Sequence, residues 1–512
     1  MKSDLRARAA AFARRMEGMP MVPAALMLVA GILFFDRFTP PAAAVWSGFL
    51  LCCAGARLLP GRGVAVSLLL AASFLLGGGS VALNADRGEV PADEELLFEL
   101  EVSDVASERS GGRRSVAVRI LGFEGPEGRS GVRSRAIMWS DGSFDTSFGD
   151  RITAFGTLVN FYNEDGYHTL MRRRGYAGTI FLREGDIVNI ERGAGSRSLH
   201  RTAVERFGRL NLRPAAAAVA GAVGMGDRGG MTAALREAYA RSGVSHILAV
   251  SGLHIGIIFL VASFLFRFLT ILRHGQLIAR TAVVVAVWLY AFASGFSPSV
   301  VRAAVMFSML QLSRSFSSVH MSYNTIAAAA FIMLTADPDA LFDVSFQLSF
   351  AAVTAIIAVG APLCRMAGLR TFSGRFMWET FVVGSVSFIA AAPIVAHSFG
   401  SLSLAGVFVN PVAIVCSGVL VSVAALWVAL PMPFLQPGVE TVLDAVAGFQ
   451  NFVVGRIAGY DLFVWRVEPS PVEVAGCYAL LALIAVAGWR IVLRIRAVKG
   501  SLKDDDYDSQ GI

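Results

Sequence analysis

Gly243-Val-Ser-His-Ile-Leu-Ala-Val-Ser-Gly-Leu-His-Ile-Gly256 opens an apolar run that continues to Leu272. A run of that length can span a bilayer. Polar groups at such depth are expensive unless they line a cavity or face other helices. Ser251 and His254 therefore need something other than lipid around them. Gly252 and Gly256 predict a broken or closely packed helix, the device that exposes backbone at mid-membrane in transport proteins. The reading is a polytopic α-helical membrane protein of transport type, with about 10–12 transmembrane helices of bilayer-spanning length.

Composition agrees. Of 512 residues 55% are hydrophobic and 16% charged, against roughly 25% charged in a soluble chain. The net charge of +7 is nearly all arginine, since lysine stands only at Lys2, Lys499 and Lys503. In a membrane protein such an excess reports topology, because positive residues collect in cytoplasmic loops. That outweighs a nucleic-acid footprint. Cys52, Cys53, Cys364, Cys416 and Cys477 all lie in or beside apolar segments, so neither a disulfide framework nor a CxxC metal pattern is present. The basic start at Lys2, Arg6, Arg8, Arg14 and Arg15 resembles a signal peptide but has no clean cleavage site, and further spans follow at once. It reads as a retained first helix.

Working outward gives five regions. Residues 1–85 hold three spans, near Met21–Phe38, Ala42–Leu58 and Val64–Leu83. Arg57 and Arg62 lie between the second and third, which puts them and the N-terminus in the cytoplasm and the following region outside. Residues 86–200 alternate apolar with polar at Phe98–Val102, Val116–Ile120, Arg151–Phe155, Ile180–Arg183 and Ile187–Ile190. This predicts a small extracytoplasmic all-β domain, which in a bacterium is periplasmic. An OB-like barrel fits the strand count, and so does a sandwich fragment. Residues 201–244 form an amphipathic connector containing Gly224-Met-Gly-Asp-Arg-Gly-Gly230. Residues 245–495 carry the remaining apolar segments as a transmembrane channel domain, and 496–512 form a cytoplasmic tail. Arg273, Arg280, Arg314, Arg365, Arg370 and Arg375 fall where cytoplasmic loops would be, and Arg494 and Arg496 put the C-terminus there too. Val439–Trp465 contains Asp444, Gln450, Asn451, Arg456 and Asp461, and the spread of charge favours a surface helix over a crossing.

Several groups could carry chemistry. Ser251 and His254, three apart, share a helix face. They fit a transport path or a polar packing contact. A hydrolase would also want an orienting acid and oxyanion donors, and no acid lies in the segment. Arg302, early in the run after Ser297-Pro298, either snorkels to the interface or meets phosphates in a polar cavity. Gln347 either bonds across helices or lines a path. Asn410-Pro411 predicts a break in the apolar segment Leu402–Leu430, because proline removes a backbone hydrogen bond. Arg172-Arg-Arg174 is the one basic cluster of the outer region. The sequence has no GxxxxGK[ST] and no HxH or HExxH. No nucleotide loop, metal, cofactor or bond-cleaving activity is expected.

These segments resemble the ComEC competence proteins. His246–Gly256 is the most specific match, Ser297–Met306 and Asp337–Phe350 are similar to the next two signatures, and Gly226-Asp-Arg228 and Asn410-Pro411 are similar to weaker ones. Asn163–Gly178 looks like part of the family's OB-like outer domain. The resemblance implies passage of single-stranded DNA across the bacterial inner membrane during natural transformation. A periplasmic DNA receptor and a cytoplasmic translocase ATPase would be partners, with membrane lipid around the chain. Ser251, His254, Arg302, Gln347 and Asn410 would line the path, Gly252, Gly256 and Pro411 would break helices, and Arg172, Arg173 and Arg174 would touch incoming DNA. Many members carry a C-terminal β-lactamase-like domain. Here a short tail ending at Ile512 follows the last span, so a separate nuclease is expected. Competing readings are a transporter of another anionic or lipid-linked substrate and, behind it, an intramembrane hydrolase.

Overall fold

The computed structural model describes residues 19–38, 41–85, 90–103, 107–108, 114–125, 128–132, 134–141, 144, 146, 149–161, 168, 171–172, 175–192, 196–313, 321–367, 371–460 and 464–508. Three helices open the chain, α1 (Met21–Arg37), α2 (Ala42–Leu58) and α3 (Arg62–Ala85). Leu28 and Ile32 of α1 are fully buried, in one cluster with Leu334 and Phe346.

The β-rich region is a closed barrel built from β1 (Glu95–Val102), β2 (Arg114–Gly125), β3 (Ser134–Ser140), β4 (Arg151–Asn160) and β5 (Tyr176–Leu182). The neighbour order is β1–β2–β3–β5–β4, with β4 returning to β1. All pairs are antiparallel except β3–β5. A five-stranded closed barrel fits the OB-like expectation and excludes an open sandwich fragment. Its interior is filled by alternate residues such as Leu96, Phe98, Leu100, Val118, Ile120, Met138, Ile152 and Ile180. One expected strand is placed differently: Ile187–Glu191, here β6, is an added strand paired with β4, and the fifth barrel strand is β3. Ser134, Ala136 and Ser140 point inward on β3. Small and polar inward residues blunt the period-two apolar signal that identifies the other strands.

The rest is helical: α4 (Ser196–Gly208), α5 (Pro214–Met225), α6 (Ala233–Arg241), α7 (Gly252–Leu265, prolonged as a 3-10 helix to Ile271), α8 (Gly275–Ala293), α9 (Pro298–Ser313), α10 (Met321–Ala336), α11 (Val344–Ala355, continuing to Met366), α12 (Phe372–Phe399), α13 (Gly406–Ala429), α14 (Gln436–Ala458) and α15 (Pro471–Asp508). Among the described residues, seven helical stretches are long and apolar enough to cross a membrane: Gly63–Leu83, Gly252–Ile271, Gly275–Ala293, Val344–Met366, Phe372–Phe399, Gly406–Ala429 and Pro471–Gly488. Ala42–Leu58, Pro214–Met225, Pro298–Leu312 and Tyr323–Ala336 are shorter apolar helices. Large apolar side chains stand outward, with Phe264 79%, Ile271 87% and Phe372 87% exposed. Apolar surface of that extent calls for lipid.

Four expectations are corrected. The amphipathic connector contains α5, whose residues from Ala218 to Met225 are all buried in the central core, because its Ala and Gly side chains let neighbouring helices approach from every side. The residues expected on the surface at 439–465 lie largely in α14, a close partner of α13. A short link, 430–435, joins the two helices, and β8 (Val464–Arg466) beyond α14 pairs antiparallel with β7 (Ser401–Ser403) ahead of α13. Leu443, Ala447, Gln450, Val454 and Ala458 form its buried face, and Asp444 and Asn451 are paired with Arg213 and Tyr239, while Arg456 is exposed and Asp461 lies outside the described residues. Gly256 is not a break: it lies inside α7, where a Cβ would stand 3.2 Å from Phe307. Nor does Pro411 interrupt α13, which runs on from Gly406 to Ala429. Pro411 is the sixth residue of α13 and forgoes a single ladder bond, the one to Val407 O, while the helix continues on both sides.

Candidate functional site

The irregular stretch Gly243–Ser251 is where the core opens. A 3-10 turn, Ser245–Leu248, and extended Ala249 precede α7, which begins only at Gly252. Its ends are held by different partners. At one end Gly243 adopts φ +76°, and a Cβ there would lie 3.0 Å from Gly406 Cα. Ser403 Oγ donates to Arg241 O at 2.7 Å beside it. At the other end Ser299 Oγ donates to Val250 O at 2.8 Å, and Arg228 Nε donates to Leu248 O at 3.2 Å.

The second end is a true junction. Gly226, the left-handed cap of α5 at φ +76°, comes so close to the turn between α8 and α9 that a Cβ would stand 2.8 Å from Ser294 O. Tyr290 Oη donates to Gly224 O at 2.8 Å, and His200 Nδ1 lies 2.7 Å from Ala293 O. The helices α7 and α9 run side by side in the same direction, with Gly252 against Ala303 and Phe259 stacked on Phe307 at 4.7 Å. Their N-termini therefore meet here. Helix N-termini present unpaired N–H groups and the positive end of the macrodipole. The 16 residues of α9 give a length of about 24 Å, short of the ~30 Å hydrocarbon core.

His254 is fully buried in the first turn of α7. Its Nδ1 accepts the Ser251 backbone N–H at 3.0 Å. The neutral ring then carries its proton on Nε2, a buried atom with no hydrogen-bond partner among the described residues. Along α13, Asn410 Oδ1 and Ser417 Oγ are likewise buried and without a partner among the described residues. They are seven residues apart and so share one face of the helix. Gly418 packs against Ile257 of α7, one turn beyond His254. Ser417 is thus next to the α7–α13 contact, and Asn410 lies two turns before it on the same face of α13. A buried polar group left unpaired costs about 1–3 kcal/mol, so such groups mark a place for water or a polar cargo.

The candidate residues divide accordingly. Ser251, Gly252, His254 and Arg302 gather at the α7–α9 junction, Arg302 being 5% exposed beside Ala303. Asn410 belongs to the other end of the Gly243–Ser251 stretch, near Gly406. Gln347 stands apart: its Nε2 donates to Leu341 O at 3.0 Å, fastening the 3-10 turn before α11, and its neighbour Phe346 packs in the cluster of α1. Arg172 is exposed, just before β5, while Arg173 and Arg174 lie outside the described residues. Ser417 was legible as the i+7 partner of Asn410 yet is masked by its apolar surroundings. No carboxylate among the described residues bonds His254, whose Nδ1 is taken by a backbone amide. That arrangement differs from a serine nucleophile with an oriented base.

The barrel presents a further surface that no alternation pattern reveals. Trp139 and Phe181 are register partners on β3 and β5, with rings 6.5 Å apart and 21° from parallel. Phe181 is 58% and Phe155 48% exposed.

The sequence pattern of the family described as Competence protein matches residues 224–491. ComE operon protein 3 of Bacillus subtilis (strain 168) is 27% identical over 271 residues, 51% of this chain and 33% of that protein. An uncharacterized protein of Aquifex aeolicus (strain VF5) is 29% identical over 183 residues, 36% of this chain and 40% of that protein. The matched part thus spans well under half the length of either curated relative. No solved structure matches.

Proposed function

The chain belongs to the competence protein family, and from that premise we propose that it conducts single-stranded DNA across the bacterial inner membrane during natural transformation, without breaking a bond in the strand. The observation that carries the reading is the junction at Ser251. There two helix N-termini meet inside the apolar core beside buried His254 and Arg302, and α13, packed against α7, carries two further buried polar atoms without a partner among the described residues. Helix N-termini attract phosphate through N–H groups and dipole. A guanidinium adds charge matched to phosphate oxygens, and the His254 Nε2–H adds a donor. A DNA backbone repeats the same anion at every nucleotide, so it can pass from donor to donor without a single tight site.

Orientation follows from arginine placement. With Arg273 and Arg280 in the cytoplasm after α7, the Ser251 junction faces the outer half of the membrane, where DNA arrives. Both termini are then cytoplasmic and the barrel is periplasmic. The Trp139–Phe181 pair offers flat rings on which unpaired bases stack, and exposed Arg172 lies toward the opposite end of β5. A periplasmic DNA receptor and a cytoplasmic translocase ATPase complete the reading.

The test is uptake of labelled DNA by the host with the wild-type chain, a deletion and His254→Ala. Loss of cytoplasmic label in the deletion and a deep reduction in the variant are expected. Unchanged uptake in the deletion overturns the reading and leaves another anionic or lipid-linked cargo in its place.

A further inference from the structure

At the far end of α7 and α9 from the Ser251 junction lies a cavity of about 280 Å³ lined by Ser263, Arg267, Thr270, Gln276, Arg280 and Gln311. It deepens from exposed Arg267 and Gln276 to Gln311, which is 5% exposed. No acidic side chain lines it. Ser263 Oγ is buried and has no hydrogen-bond partner among the described residues. Thr270 Oγ1 donates to Arg267 O at 2.7 Å and so holds the 3-10 turn that carries the first guanidinium. The surface around the mouth is apolar, with Phe264, Phe268, Ile271 and Leu277 each more than half exposed.

A cationic, hydrogen-bonding recess inside an apolar collar is shaped for an amphiphile whose head is anionic and whose tails are hydrocarbon. We propose that this cavity binds the phosphate headgroup of an anionic phospholipid, with its acyl chains lying over the Phe264 and Phe268 side of α7. Guanidiniums hold phosphate oxygens in paired hydrogen bonds, and basic recesses between helices on the cytoplasmic side suit anionic headgroups. A free anion would use the arginines and leave the collar unexplained. A passing DNA strand would gain nothing from exposed phenylalanines that face away from the helical core. The site is separate from the Ser251 junction, lying at the opposite end of α7.

The full chain, purified in zwitterionic detergent, is titrated with phosphatidylglycerol or phosphatidylcholine in mixed micelles while thermal unfolding is followed. Inorganic phosphate and a single-stranded oligonucleotide form two further arms. Phosphatidylglycerol is expected to raise the unfolding temperature at a lower mole fraction than phosphatidylcholine. Combining Arg267→Gln with Arg280→Gln should raise the mole fraction required about tenfold, the loss of one to two charge-assisted hydrogen bonds. Arg273→Gln, outside the cavity on the same loop, should leave the titration unchanged. The proposal is overturned if the two lipids act alike, if phosphate or the oligonucleotide reproduces the full effect, or if Arg273→Gln weakens binding as much as the double variant. Should the double variant fail to fold, exposed Arg267→Gln and the wild-type lipid comparison decide the matter.

Discussion

The Nδ1 of His254 accepts the backbone N–H of Ser251 at 3.0 Å, so one imidazole both starts α7 and holds a buried N–H donor at Nε2. The two duties separate by substitution. His254→Ala should lose about 0.5–2 kcal/mol of helix-start stability. Gln at this third position can still reach back to the amide. His254→Gln is therefore expected to recover unfolding temperature while DNA uptake stays reduced, because the donor moves. Recovery of both would assign the histidine to helix capping alone.

Gly226 accommodates the α8–α9 turn only because it lacks a side chain and takes φ +76°. Gly226→Ala should lower stability by about 1–3 kcal/mol from backbone strain, with more from the contact with Ser294 O. Thermal unfolding of the purified chain measures it, and an unchanged midpoint would contradict the close packing of the junction.

Asn410 Oδ1 is buried and without a partner among the described residues. Asn410→Leu removes that group while keeping the same branched skeleton and should leave unfolding unchanged or stabilise the chain by up to about 1 kcal/mol. Uptake of labelled DNA should fall all the same. A group serving packing alone would show the opposite pattern, with lower stability and normal uptake.

Phe181 is 58% exposed, so Phe181→Ala should spare the barrel. Stacking one base contributes about 1–3 kcal/mol. Binding of a single-stranded oligonucleotide by the full chain should weaken roughly tenfold, and Phe181→Tyr, which keeps the ring, should retain it. Equal binding by all three proteins would remove the barrel face from the path of the DNA.

Much of this architecture was legible along the chain. Apolar runs located the spanning helices, and alternation at Phe98–Val102, Val116–Ile120 and Arg151–Phe155 located barrel strands. Ser134–Ser140 escaped because three of its four inward residues, Ser134, Ala136 and Ser140, are small or polar. The charges of Val439–Trp465 pointed to water, yet Asp444 is paired with Arg213 at 3.2 Å and Asn451 accepts the Tyr239 hydroxyl at 2.8 Å. A charge count cannot register partners more than two hundred residues away.

Hydropathy and periodicity are local quantities, and they fixed the membrane class, the β-domain and the polar residues that lipid would not tolerate. Which of those residues stand together was left to packing between distant helices. Only the fold sends Gln347 to the cluster of α1 and gathers Ser251, His254 and Arg302 where α7 and α9 begin. Proximity of this kind depends on how helices cross, which no single segment encodes.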